Sequence, residues 1–347
     1  MTVTDDPGTT TSERSKWWQN LPFVRPAAKT GADGGPPAPP APPTRRSQPP
    51  KPPRRPPVRR APLPPLSPGQ QYLRSSLIVL AVLMIALVVS ITLLGQVRHY
   101  AAQQQLSDSF REQLAEGIAP VTEGDFNDVL LPDGAPVAIL EIPSIGVRQV
   151  VVEGTDSEAT QLGPGHRRDT VLPGQAGISV IMGRAAAYGG PFGRIQQLDP
   201  GETFTVITGQ GEHEYEVIGL RYAGDPAPPA LKAGEGRLVL VSARGLPYLP
   251  VATVRVDAEL VSDAQPTGLR QTRFATLDPA EKEMQGDASM VWALVFALQF
   301  LIVVEVAAVW SYRRIGPTRT WIVFVPLTLV ACLWVAGEIS RLLPNLM

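Results

Sequence analysis

Residues 137–154 read VAILEIPSIGVRQVVVEG, and this stretch decides the fold. Two runs rich in β-branched residues, VAILEI and VRQVVVE, flank a Pro-Ser-Ile-Gly break. Such residues fit a pleated, half-buried surface, and Pro and Gly interrupt it, so the reading is strand, turn, strand. The same pattern continues through ISVIMG, TFTVIT, EHEYEVIGLRY, RLVLVS and VATVRVDAEL, separated by Pro, Gly and Asp clusters. Seven or eight short strands within about 125 residues predict a mainly β domain over 134–261, a closed barrel or a sandwich.

On either side the period changes. Leu77–Gly95 is a run without a charged residue, long enough to cross a hydrocarbon core. It is too long, and too far into the chain, for a cleaved signal peptide, so it reads as a signal anchor (transmembrane helix 1, 77–95). In the segment that follows (96–133), Leu106, Phe110 and Leu114 recur on one helical face. That face predicts a helical stalk packed on its own domain, with self-association as the alternative. Residues 262–288 are polar and contain Pro266 and Pro279, which reads as a linker. Two further apolar stretches, 290–312 and 320–343, are candidate transmembrane helices 2 and 3.

The net charge of −1 gives no general affinity for nucleic acid, but it conceals a local asymmetry. Nineteen of the 37 prolines precede residue 70, and no Asp or Glu stands between Gly34 and Ser107. Residues 1–70 are therefore expected to be a disordered Pro/Arg-rich tail, because proline donates no amide and apolar residues are sparse. Its Arg and Lys residues have three readings: a solvated tail that sets orientation, contact with anionic membrane lipid, or a docking site for a partner that reads PxxP. Positive charge before the first span, and Arg313, Arg314 and Arg319 between the second and third, put the N-terminus and that loop in the cytoplasm and the barrel outside it. The cell membrane is thus the expected location. Glu305, within the second span, has no partner nearby in sequence. It packs against another helix or meets a membrane-protein partner. Glu338 can pair with Arg341 one turn away. The single cysteine, Cys332, rules out an intrachain disulfide, and with three scattered histidines it matches no zinc spacing; no metal or other cofactor is expected.

The order IPSIG, LGPGH (162–166), LPGQAGISVIMGRAAAYGGPF (172–192), RLVLVSARG (237–245) and VATVRVDAELV (251–261) resembles the catalytic domain of sortases, membrane-anchored cysteine transpeptidases of bacterial surfaces. The resemblance implies a sortase-like closed β-barrel. It also implies a nucleophilic cysteine, a histidine that moves the proton and an arginine that steadies the oxyanion. Aligned on Tyr188-Gly189-Gly190-Pro191-Phe192, the histidine position holds Arg184. The cysteine position holds Ala243, after Ser242, and the arginine position holds Thr253, with Arg255 on the same face of the strand. Ala243 offers no nucleophile and a guanidinium shuttles no proton. Ser242 is the only neighbouring hydroxyl, but it should face away from Ala243. His166 reads as a turn histidine, His213 as a solvated strand residue, and His99 lies in the stalk.

The expectation is a pseudoenzyme: a catalytically inactive, sortase-like binding or scaffold module of the cell envelope with no catalytic residues. Its groove would comprise Arg184, Tyr188, Ser242, Arg244 and Arg255. The three arginines would favour an anionic group on a peptide or protein ligand. The alternatives are a divergent sortase acting on surface-protein sorting signals, and a membrane assembly subunit that works through Glu305.

Overall fold

The computed structural model describes residues 67–124, 129–289 and 291–347. Most of the expected basic tail lies outside them.

Eight strands close into one barrel in the order β1-β2-β3-β4-β7-β8-β6-β5. They are β1 Pro136–Ile142, β2 Val147–Glu153, β3 Gly165–His166, β4 Gly177–Met182, β5 Thr203–Thr208, β6 Gly211–Tyr222, β7 Gly236–Leu246 and β8 Leu249–Leu260. All pairs are antiparallel except β2–β3 and β4–β7. Strand β3 has only two residues, too few to carry a period, and sequence reading passes over it.

Side chains alternate between the two faces of each strand, and this builds the interior. Leu140, Ile181, Phe204, Leu238, Leu240 and Val256 fill it. Phe204 stacks on Tyr215 with ring centroids 5.7 Å apart. The Tyr215 hydroxyl accepts a 2.6 Å bond from the Gly174 amide, so its one polar atom is satisfied.

The first helical rod runs unbroken through α1 (Pro68–Val89), a π-helical turn at Ser90–Leu94 and α2 (Gly95–Glu116), and a short α3 (Ala159–Leu162) follows β2. It starts at a capping box: the Gln70 amide donates to Ser67 Oγ and the Ser67 amide to Gln70 Oε1. Phe110 is fully buried with Ile139 and Val150 of the barrel, and Leu106 and Leu114 pack beside it. The apolar face of the stalk is thus spent on its own domain. Gln103 fixes the register like an added peptide unit, donating to Val150 O and Leu162 O and accepting from Val150 N.

Helices α4 (Val291–Ile315) and α5 (Pro317–Leu342) pack with α1 around Ala86, Ala297, Leu301, Ala331, Cys332 and Ala336. Such small residues let helices approach closely in lipid. Three helices, Gly69–Glu116, Val291–Ile315 and Pro317–Leu342, are long and apolar enough to cross a membrane. Glu305 finds its partner inside the chain: Ser76 Oγ of α1 donates to its Oε1 at 2.6 Å. Arg313 Nε bonds Gln71 Oε1 at 2.9 Å, so the basic loop lies beside the start of α1. At the other end of α5, Arg341 reaches Glu158 of the barrel at 3.2 Å and Glu338 at 3.9 Å.

Residues 262–288 differ from the expected linker. The Gln265 amide donates to Gly174 O and Gln265 O accepts from Ala176 N; Thr155 Oγ1 donates to Glu281 O; Leu277 and Glu281 are buried. The segment is held mostly by backbone hydrogen bonds, which leave no hydrophobic period in the sequence.

Candidate functional site

Strand β7 carries the site. Every residue from Gly236 to Ala243 is buried, on both faces. Leu238 and Leu240 face the interior, while Val239, Val241 and Ala243 face outward and join Val180 and Met182 of β4 in a second cluster. A strand covered on both faces reads as a continuous apolar run, as RLVLVSA does.

Two features cover that outer face. Toward the start of β7, a cavity of about 300 Å³ opens under the β6–β7 connection, lined by Val180, Val239, Val241, Pro228, Arg255 and Asp257 among others. Toward its end, Leu346 is fully buried against the same valines, with Met182 and Ala243.

The two strand neighbours of β7 place the remaining site positions. Ala243 pairs directly with Thr253 of β8, and Val241 with Arg255. Val241 also pairs with Met182 of β4, and the Gly183 amide donates to Val241 O. Arg184 therefore follows β4 at the level of Ala243. The structure brings Arg184, Ala243 and Thr253 to one level across three adjacent chains, just past the end of β4.

Arg184 is wholly buried. Its Nη2 donates to Ser157 O and Oγ, both at 2.9 Å, and its Nη1 to Pro344 O at 3.5 Å. The guanidinium lies 5.0 Å over the Tyr188 ring, and its Nε has no partner. No carboxylate among the described residues is within ion-pair distance. Burial lowers its pKa to about 10, so the group is still charged at neutral pH.

Tyr188 is held in the left-handed region at φ 51°, followed by Gly189 at 81° and Gly190 at 50°. A Cβ on Gly189 would stand 2.7 Å from the His99 ring, so the YGG turn fits only with glycine there. The turn wedges between α2 and α5, where Tyr188 bonds Ser340 Oγ at 3.0 Å.

Other site expectations land differently. Ser242 does face away from Ala243, but it points into the barrel, fully buried, and donates to Gly183 O at 2.9 Å. It does not line the groove. Arg244 is exposed and lies 4.5 Å over the Tyr222 ring. Arg255 lines the cavity paired with Glu283, beside a two-point Arg221–Asp257 pair at 2.8 and 3.0 Å. The expected exposed cationic groove is thus not assembled: Arg184 is buried under other residues, Arg244 stacks on an aromatic ring and Arg255 is ion-paired. The acidic partner Glu283 comes from the segment read as a linker, which is why sequence reasoning missed it.

The histidines are not solvated either. His166 is fully buried, with Nδ1 2.9 Å from Glu153 Oε2 and Nε2 2.9 Å from Val171 O. His213 is buried in β6 with Nε2 3.1 Å from Thr208 Oγ1, and burial lowers its pKa. Near His166, Arg168 bonds Asp133 at 2.6 Å and lies 3.9 Å from Glu281. Burial, and then the Asp133 charge, push Glu281 up to about 7. His99 bridges α2 to Gln149 at 3.0 Å.

Residues 140–242 match the family model described as Sortase domain. Over 85 residues the chain is 33% identical to sortase D of Bacillus subtilis (strain 168), covering 24% of this chain and 41% of that relative. Residues 140–242 are thus a sortase domain by the family match. The chain spans less than half of that curated relative's length. Among solved structures, the sortase D5 transpeptidase of Clostridium perfringens aligns at 20% identity and a TM-score of 0.38, over 47% of this chain and 99% of that one. Sortase E from Streptomyces avermitilis aligns at 25% identity and 0.33, over 44% and 100%. In this domain Ala243 of β7 and the buried Arg184, which follows β4, stand at one level.

Proposed function

We propose that this chain is a catalytically inactive, membrane-anchored sortase-like module of the cell envelope that binds a peptide or protein without cleaving it. One observation carries the reading: Arg184, Ala243 and Thr253 share one level across β7 and β8 just past the end of β4, where the sortase resemblance calls for histidine, cysteine and arginine. The only thiol, Cys332, is buried among the spanning helices. Elsewhere, loss of a single nucleophile or base costs roughly a millionfold in kcat. Arg184 keeps its proton at neutral pH and cannot relay one. Ser242 is directed into the barrel, and no histidine bonds it.

The same reading places the barrel outside the cytoplasm. The basic loop between α4 and α5 lies beside the start of α1, and the barrel meets the opposite end of α5. One cytoplasmic face then collects the positive charge, as the positive-inside rule asks. Three arginines of the cavity, Arg167, Arg221 and Arg255, are ion-paired with Asp169, Asp257 and Glu283, whereas Arg237 donates to Pro229 O and, among the described residues, keeps an unpaired charge for the ligand peptide.

The full-length protein in detergent, given a sorting-motif peptide and an acceptor amine, is expected to yield neither hydrolysis nor transfer. Thiol-independent turnover that disappears in Ser242→Ala would contradict the proposal and support a divergent transpeptidase.

A further inference from the structure

The segment that follows α5, Leu343–Met347, folds onto the barrel as a tight turn, closed by Met347 N donating to Pro344 O at 3.1 Å. Ala185 N donates to Leu346 O at 3.0 Å, and Ala187 N to Met347 O at 3.3 Å. The Asn345 amide donates to Gln285 O at 2.8 Å. The Asn345 side chain is fully buried, and its Nδ2 donates to Thr155 O at 2.7 Å, Lys282 O at 2.9 Å and Ala280 O at 3.3 Å. Leu346 fills the outer face of β4 and β7 against Val180, Met182, Val239, Val241 and Ala243. Three of these residues, Val180, Val239 and Val241, also line the open cavity, so the cavity adjoins the Leu346 seat.

These contacts have the composition of a peptide-recognition site. Main-chain bonds hold the backbone, and separate pockets read an amide and the aliphatic residue after it. Two buried polar atoms are left over in it, Arg184 Nε and Asn345 Oδ1. A buried polar group without a partner costs free energy, so the resident chain satisfies its seat incompletely.

We infer that Leu343–Met347 is an internal ligand that occupies a peptide seat beside the barrel's cavity. An external peptide that adopts the same turn, with an Asn followed by an aliphatic residue, binds there by displacing it. This rests on the reading of the barrel as a peptide-binding module and names both the resident occupant and the class of its competitor. While seated, the segment also pins the barrel to α5, so displacement reports occupancy to the membrane helices.

The test uses the full chain in detergent and a labelled octapeptide with the sequence of residues 340–347. Leu346→Asp places a charge in the apolar seat. It is expected to bind the octapeptide at least about tenfold more tightly than the parent does. Hydrogen exchange at Ala185 and Ala187 should rise in that variant while the β7 amides stay protected. An octapeptide with alanine at the position of Asn345 should bind the variant about tenfold more weakly. Equal octapeptide binding by parent and variant overturns the inference, as does failure of the variant to bind once the two alanine amides have lost protection. If Leu346→Asp unprotects β7 itself, Asn345→Ala, which removes only the side-chain bonds, carries the same readouts. Turnover of sorting peptides would instead break the inactive-module reading and would leave these binding outcomes intact.

Discussion

Strands β6 and β7 lie in one barrel, on either side of β8, and they present opposite outer faces. In β6, His213, Tyr215 and Val217 are buried inward while Glu212, Glu214 and Glu216 are exposed. In β7 the outer residues Val239, Val241 and Ala243 are as hidden as the inner ones. The first pattern is a strand whose second face belongs to water. The second requires other parts of the chain to lie over it, and the 223–235 connection, the 279–285 turn and Leu346 do so. On the proposed reading, this covered β7 face is the one that holds another chain.

That contrast can be broken in graded steps. Val241→Ala on the covered face should cost about 2.5 kcal/mol of unfolding free energy, because the cavity left under Leu346 cannot collapse fully. Denaturant titration in detergent measures it, and a near-zero cost would mean that the cover is loose.

A smaller effect comes from the cover's own anchor. Glu281 titrates at about 7 in the folded protein, above its ordinary value of 4.5. Between these values the folded chain holds more protons than the unfolded one, so stability falls as pH rises through the window and levels off above it. The neighbouring Asp133, Asp156 and Glu153 carboxylates add to the effect and Arg168 opposes it. Glu281→Gln should flatten this slope, removing a loss on the order of 1–2 kcal/mol, as read by melting temperature against pH. The smallest effect belongs to β6: Glu216→Ala on the solvated face should stay within about 0.5 kcal/mol of the parent.

The sequence carries these two faces unequally. Alternation in EHEYEV announces one wet side, and the unbroken RLVLVSA announces two dry ones. Period two alone also sends Ser242 and Ala243 to opposite faces, as found. The identity of the cover is not readable. Residues 262–288 and Pro344–Met347 are held chiefly by carbonyls and amides, which every residue owns. For the same reason, an exposed cationic groove was a fair expectation from Arg184, Arg244 and Arg255. Their burial, stacking and pairing depend on Pro344, Tyr222 and Glu283, each remote in sequence. Glu305 is a similar case, since its partner Ser76 stands on another helix.

The most direct measurement exposes the full-length protein to a sorting-signal peptide ending in an electrophile, then maps the barrel by mass spectrometry. The account predicts no covalent adduct on residues 134–261. A stoichiometric adduct on Ser242, or on any other barrel side chain, would contradict it.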